Sequence, residues 1–113
     1  MTEEESRVAL VTGGSSGIGR GVALRLAEAG LAVAVADKQH RSKSGQHYET
    51  DVTTPTDELI REQKDGRSVF LETDVRKESD VASTVEDTVD EFGRLDVLVN
   101  NAGILIPGTT QSL

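Results

Sequence analysis

A short apolar run, Val8-Ala9-Leu10-Val11, leads directly into Thr12-Gly13-Gly14-Ser15-Ser16-Gly17-Ile18-Gly19, and a helix-like stretch from Arg20 to Glu28 follows. A strand that turns through glycines into a helix constrains the fold and suggests chemistry together. The first turn of a helix has backbone N–H groups without intrahelical acceptors and carries partial positive charge, so a phosphate is stabilised there. Glycines let that backbone come close to a bulky anion that side chains would hold away. The spacing Gly13-x-x-x-Gly17-x-Gly19 differs from G-x-G-x-x-G, and for the loop taken alone a plain tight turn is the competing reading. The loop is not a P-loop: Arg20 and Gly21 follow Gly19 where Lys and Ser or Thr are required, which excludes triphosphate hydrolysis here.

The rest of the chain alternates strand and helix. Ile18, Val22, Leu26 and Ala29 recur at helical spacing as far as Gly30, and Leu31 to Ala36 is an apolar run of strand length. Thr54-Pro55-Thr56-Asp57 has the form of a helix start, with a capping hydroxyl and a proline at the first position, and that helix is expected to run to about Asp65. Ser68 to Thr73 follows as a third strand, and Val81, Val85, Val89 and Phe92 mark the apolar face of a helix ended by Gly93. Leu95 to Val99 is a fourth strand. Uniformly apolar strands joined by helices predict an α/β fold with a parallel sheet covered on both faces. Right-handed crossovers make it a partial, doubly wound, Rossmann-like sheet of about four strands in the order 3-2-1-4. The polar stretch Gln39 to Thr53 has no clear period and reads as a surface insertion without an assignable function.

Composition removes several classes of function. The chain has 113 residues, enough for one domain and one core, and no cysteine, so disulfides and thiolate metal sites are excluded. His40 and His47 lie in the polar insertion and form no ligand cluster, so no metal is expected. The net charge of −8 argues against nucleic acid, because no basic stripe is available to displace phosphate counterions. Lys38, Lys43, Lys64 and Lys77 are the only lysines, beside eleven glutamates and nine aspartates. Such a surface suits a high-salt cytoplasm and equally an ordinary acidic protein. No apolar run approaches a membrane span, and Met1-Thr2-Glu3-Glu4-Glu5 is unlike a basic signal-peptide start, so a soluble cytoplasmic protein is expected.

Polar residues gather where each strand should end. Asp37 closes the second strand, Asp74-Val75 follows the third, and Asn100-Asn101-Ala102-Gly103 follows the fourth. With the glycine loop, all four fall at the carboxyl edge of the sheet, where open α/β sheets bind ligands. An acid in the place of Asp37 accepts hydrogen bonds from the ribose hydroxyls of a dinucleotide. The T-G-x-x-x-G-I-G loop, Asp37, the Asp-Val pair and N-N-A-G together resemble the short-chain dehydrogenase/reductase family over residues 7 to about 107. The resemblance implies that Gly13, Gly14, Ser15, Ser16, Gly17, Ile18 and Gly19 form the loop around the pyrophosphate and ribose. It implies that Asp37 takes the ribose hydroxyls, Asp74 the adenine amino group and Val75 the adenine ring through its backbone. Asn100 would meet the ribose through its backbone, and Asn101, Ala102 and Gly103 would shape the floor of the cleft. For Asn101 and Gly103 a purely structural role, tying neighbouring strands together, stands beside that reading.

The family acts through a tyrosine and a lysine four residues apart, with a serine before them, in the second half of its fold. Here Tyr48, the only tyrosine, is followed four positions on by Val52, so no catalytic residue is assigned. The stretch from Asp37 to Asp74 is also longer than the family pattern. The expected function is therefore the cofactor-binding half of an NAD(P)-dependent alcohol or carbonyl oxidoreductase. NAD is preferred and NADP is the second candidate, because Asp37 repels a 2′-phosphate while Lys38 and Arg20 stand nearby. A small-molecule substrate and a homo-oligomer are expected only of a full-length form. The alternatives are a dinucleotide-binding module without chemistry, or a truncated product that acts through protein association at an exposed sheet edge.

Overall fold

The computed structural model describes residues 7–40, 54–63 and 66–101. Among these residues seven elements follow in chain order: β1 (Val8–Thr12), α1 (Gly17–Glu28), β2 (Ala32–Asp37), α2 (Thr56–Gln63), β3 (Ser68–Glu72), α3 (Glu78–Phe92) and β4 (Val97–Asn100). The strands form one parallel sheet in the order β3-β2-β1-β4. This is the α/β, Rossmann-like order expected from the alternation of strands and helices. The order reverses between β1 and β4, so the crevice of the sheet opens beyond Thr12 and Asn100, which are register partners.

The two sheet faces are packed differently. Val11, Val33 and Val35 point to one face, where Ala23 and Ala27 of α1 and Ile60 of α2 close over them. Leu10, Ala34 and Ala36 point to the other, against Val85 and Phe92 of α3 and against Leu95. The small β2 alanines on that face leave room for the bulkier side chains opposite. Every residue of β1 is buried, as expected for a central strand with helices on both sides.

Two local expectations shift, and a third is not tested. The Pro55 carbonyl accepts the Leu59 N–H at 2.9 Å, so the proline stands at the boundary and Thr56 opens α2. Lys64 and Asp65, where the helix was expected to end, lie outside the described residues. In α3 the fully buried positions are Thr84 and Thr88, while Val89 is 39% exposed. Threonine is tolerated there because both hydroxyls are satisfied: Thr88 donates to the Thr84 carbonyl at 2.7 Å, and Thr84 shares a 2.6 Å bond with the Thr73 hydroxyl. Helix α3 ends as predicted on Gly93, in the left-handed region at φ 86°, with its N–H on the Val89 carbonyl.

Candidate functional site

The carboxyl edge of the sheet carries the candidate residues, and the strand register explains why. Thr12 pairs with Ala36 on one side and with Asn100 on the other, and Asp37 pairs with Glu72. The glycine loop, Asp37, Thr73-Asp74 and Asn100-Asn101 therefore emerge at the same level. Ala102 and Gly103, expected at the floor of the cleft, lie outside the described residues, as do residues 41–53 of the insertion.

The loop is shaped by its glycines. Gly13 and Gly17 take positive φ, 68° and 60°. The Gly13 N–H bonds to the Ala36 carbonyl at 2.7 Å, seating the loop on the end of β2. At Gly19 a Cβ would collide with the Gly13 carbonyl and come 2.6 Å from Asn101 Nδ2, so only glycine allows helix, loop and the end of β4 to close together. Gly14 is buried, with Val35 Cγ1 3.0 Å from where a Cβ would stand.

Side chains complete the loop. The Ser15 N–H donates to Asp37 Oδ2 at 3.1 Å, and the buried Ser15 hydroxyl donates to the Gln39 carbonyl at 2.6 Å. Ser16 stands at the cap position of α1 in extended conformation and makes no side-chain capping bond. Ile18 leaves its side chain 70% exposed at the mouth of the loop. Helix α1 has no acidic residue in its first turn, whereas α2 carries Asp57 and Glu58 and α3 carries Glu78 and Asp80. The helix behind the glycine loop thus keeps its positive end unneutralised by carboxylates of its own.

Asp74 meets Arg76 in a fork: its Oδ1 accepts from the Arg76 Nε at 3.1 Å and its Oδ2 from Nη2 at 3.1 Å. These bonds, with the Arg76 backbone N–H, pull the Asp74 pKa down to about 2. The Asp74 N–H is held by Asp80 Oδ2 at 3.0 Å, and Val75 beside it is half-buried.

Four contributions were not assigned from the sequence. Thr12 closes the β1–β4 seam: its hydroxyl accepts the Asn101 N–H at 2.9 Å and lies 3.2 Å from the Val99 carbonyl and 3.3 Å from Asn100 Oδ1. Thr56, read from sequence only as part of a helix start, donates to the Gly14 carbonyl at 2.7 Å and accepts from buried Arg20 at 3.1 Å. Arg76 occupies the Asp74 carboxylate. His40, placed by sequence in a polar loop, stacks on Phe70 at 4.5 Å and bonds to buried Asp57 at 2.5 Å, with Arg61 on the other Asp57 oxygen at 2.9 Å. Position in the chain gave signals for the first two, a hydroxyl directly before the glycines and one directly before a buried helix. For His40 and Arg76 no sequence pattern pointed to their partners.

A parallel sheet with its glycine loop at the point of strand-order reversal defines an α/β protein of the Rossmann type. Residues 7–113 match the short chain dehydrogenase family, and the chain belongs to it. L-2,3-butanediol dehydrogenase of Corynebacterium glutamicum is 39% identical over 99 residues, 88% of this chain and 35% of that protein. (+)-Borneol dehydrogenase 2 of Salvia officinalis is 43% identical over 101 residues, 89% of this chain and 31% of that one. Among solved structures, a short-chain dehydrogenase/reductase of Sinorhizobium meliloti superposes with a TM-score of 0.71 at 34% identity, covering 99% of this chain and 48% of that chain. Hydroxysteroid dehydrogenase of Escherichia coli superposes with a TM-score of 0.70 at 25% identity, covering 92% of this chain and 41% of that chain. The chain thus spans about a third of the length of the curated relatives it matches. Among the described residues no helix is long and apolar enough to cross a membrane.

Proposed function

We propose that this chain is the dinucleotide-binding part of a nicotinamide-dependent oxidoreductase acting on alcohols or carbonyls. The observation that carries the proposal is the glycine loop at the strand-order reversal, seated on β2 beside Asp37 and backed by a helix without acids in its first turn. The residues fit such a ligand: glycines keep the loop close-packed, the Ser16 cap position makes no side-chain bond to the helix, and Ile18 offers an apolar surface for a ligand to cover. A bound nicotinamide supplies the hydride chemistry. The loop from Gly13 to Gly19 holds the pyrophosphate and the adjoining ribose. Asp37 accepts the adenosine ribose hydroxyls, Asp74 and Val75 receive the adenine, and Asn100 to Gly103 form the floor of the cleft.

The carboxylate of Asp37 favours a free 2′-hydroxyl over a 2′-phosphate, so NAD is the preferred cofactor over NADP. Proton transfer and the substrate pocket belong to the remainder of a full-length, homo-oligomeric cytoplasmic enzyme, since the Tyr-x-x-x-Lys pair of the family does not occur in these 113 residues. Calorimetric titration with NAD and with NADP tests the proposal. Saturable binding with NAD the tighter ligand is expected, and tighter NADP binding overturns the preference. The reading as a binding module without chemistry is separated by turnover: a full-length form that binds NAD but oxidises no alcohol favours the module.

A further inference from the structure

The Gly14–Ser15 peptide is gripped from both edges. In a trans peptide the C=O and N–H point in opposite directions, and no described peptide is cis. The Gly14 carbonyl accepts the Thr56 hydroxyl at 2.7 Å from the α2 side, and the Ser15 N–H donates to Asp37 Oδ2 at 3.1 Å from the β2 side. Two side chains that lie 19 positions apart thus fix the tilt of one peptide plane in the middle of the loop. The grip is itself held. Thr56 is 0% exposed, and its oxygen accepts the Nη1 of Arg20, which is 4% exposed and comes from the first turn of the helix that the loop enters. Strand β2, the loop, α1 and the start of α2 meet at this point.

We propose that Thr56 is a positioning residue for ligand binding: with Asp37 it locks the Gly14–Ser15 peptide and so presets the glycine loop in its binding shape. The proposal rests on the reading of the loop as a dinucleotide site. The physical case is preorganisation. A glycine-rich loop has more backbone freedom than any other sequence, and freedom not removed beforehand must be lost when the ligand binds. A single clamped peptide plane between Gly13 and Gly17, the two positive-φ hinges, removes much of it. Without the Thr56 hydroxyl, the Gly14 carbonyl and the Arg20 guanidinium each lose a partner in a region closed to water, and the peptide is free to turn.

The test uses Thr56→Val, which keeps the shape and removes the hydroxyl, Thr56→Ser, which keeps the hydroxyl, and Thr88→Val as a control. Thr88 is equally buried, and its hydroxyl makes a 2.7 Å bond within α3, away from the loop. Two measurements are made on the 113-residue chain: calorimetric titration with NAD, and amide hydrogen exchange at Gly13 and Ser15. Thr56→Val is expected to weaken NAD binding by about tenfold, the effect of leaving a buried acceptor without its donor, and to speed exchange at both amides. Thr56→Ser is expected to stay within about threefold of the parent chain, in the range of a partly kept hydrogen bond. Thr88→Val is expected to lower thermal stability while leaving both readouts unchanged. The proposal is overturned if Thr56→Val binds NAD and protects the loop amides as the parent does, or if Thr88→Val impairs both equally. A parent chain that does not bind NAD refutes the dinucleotide reading instead, and the exchange measurement still decides whether Thr56 holds the loop.

Discussion

The two flanks of the sheet are built to different standards. On the β2 side of β1, the glycine loop is seated on the Ala36 carbonyl, gripped by Thr56 and Asp37, and backed by buried Arg20. On the other side, β4 has a strand neighbour only in β1 among the described residues, all its residues are half-buried or exposed, and Leu98 is 38% exposed. Polar bonds hold the β4 flank at its ends: Asp96 accepts the Val8 N–H at 2.9 Å at the start, and Thr12 ties Asn101 at the close. The difference teaches that the ligand loop takes its order from one half of the sheet, while the other half supplies the crevice wall and, among the described residues, leaves the outer edge of β4 without a strand partner. An edge with unpaired donors and acceptors is a template for another strand.

The contrast is most easily broken at Gly19. Gly19→Ala drives a methyl group into the Gly13 carbonyl, and NAD binding is expected to fall by at least about a hundredfold, the cost of misplacing a binding loop. Gly21→Ala, where no described atom outside its own helix backbone lies within 4 Å, is expected to keep binding and to raise stability by about 0.5–1 kcal/mol. Circular dichroism and calorimetry on the two variants separate loop from helix. Equal behaviour of the pair would refute the close-packing argument.

At the seam between the flanks, Thr12→Val removes the acceptor of the Asn101 N–H. A loss of about 1–3 kcal/mol is expected, read as a lower urea midpoint, because a partly buried donor is left unsatisfied. On the β4 flank, the chain is expected to self-associate through its edge, and Leu98→Lys to weaken that association by about tenfold, or roughly 1.4 kcal/mol. Sedimentation velocity across a concentration series checks this. A monomer unchanged by the substitution would show that the edge is already closed.

The smallest effect concerns Asp74. Its pKa of about 2 lies below the unfolded value of about 3.9, so the stabilisation from the Arg76 fork is present above about pH 4 and lost as pH falls through about 2. In Arg76→Ala the side-chain donors are gone, and NMR titration is expected to find the Asp74 carboxylate back toward its ordinary range. An unmoved midpoint would assign the depression to another group. Asp96 is lowered in the same sense, chiefly by Arg94, and serves as the internal reference that Arg76→Ala leaves alone.

Much of this organisation could be read in the residues, and the exceptions share a cause. The strand-loop-helix start, the strand order and the level of Asp37, Asp74 and Asn100 follow from local apolar periodicity and from crossover handedness, which short windows of sequence reveal. Thr56, Arg20 and His40 did not follow. The partners of Thr56 at Gly14 and Arg20 lie 42 and 36 positions away, and His40 meets Asp57 across 17. Such pairings are made by the fold and leave no periodic trace. The buried face of α3 was legible in part: Val85 and Phe92 pack against the core as expected, while Val89 is exposed. Valine predicts burial by its hydrophobicity, but Thr84 and Thr88 sit deeper because the fold supplies partners for their hydroxyls.

The central claim is that the glycine loop beside Asp37 is a dinucleotide site. NMR titration of the isotope-labelled chain with NAD tests it most directly. The account predicts saturable shifts at the amides of Gly13 to Gly19, at Lys38 and at Val75 and Arg76, with α3 beyond its first turn unmoved. No saturable shift at millimolar NAD, or shifts centred on Leu98 and the outer edge of β4, would contradict it.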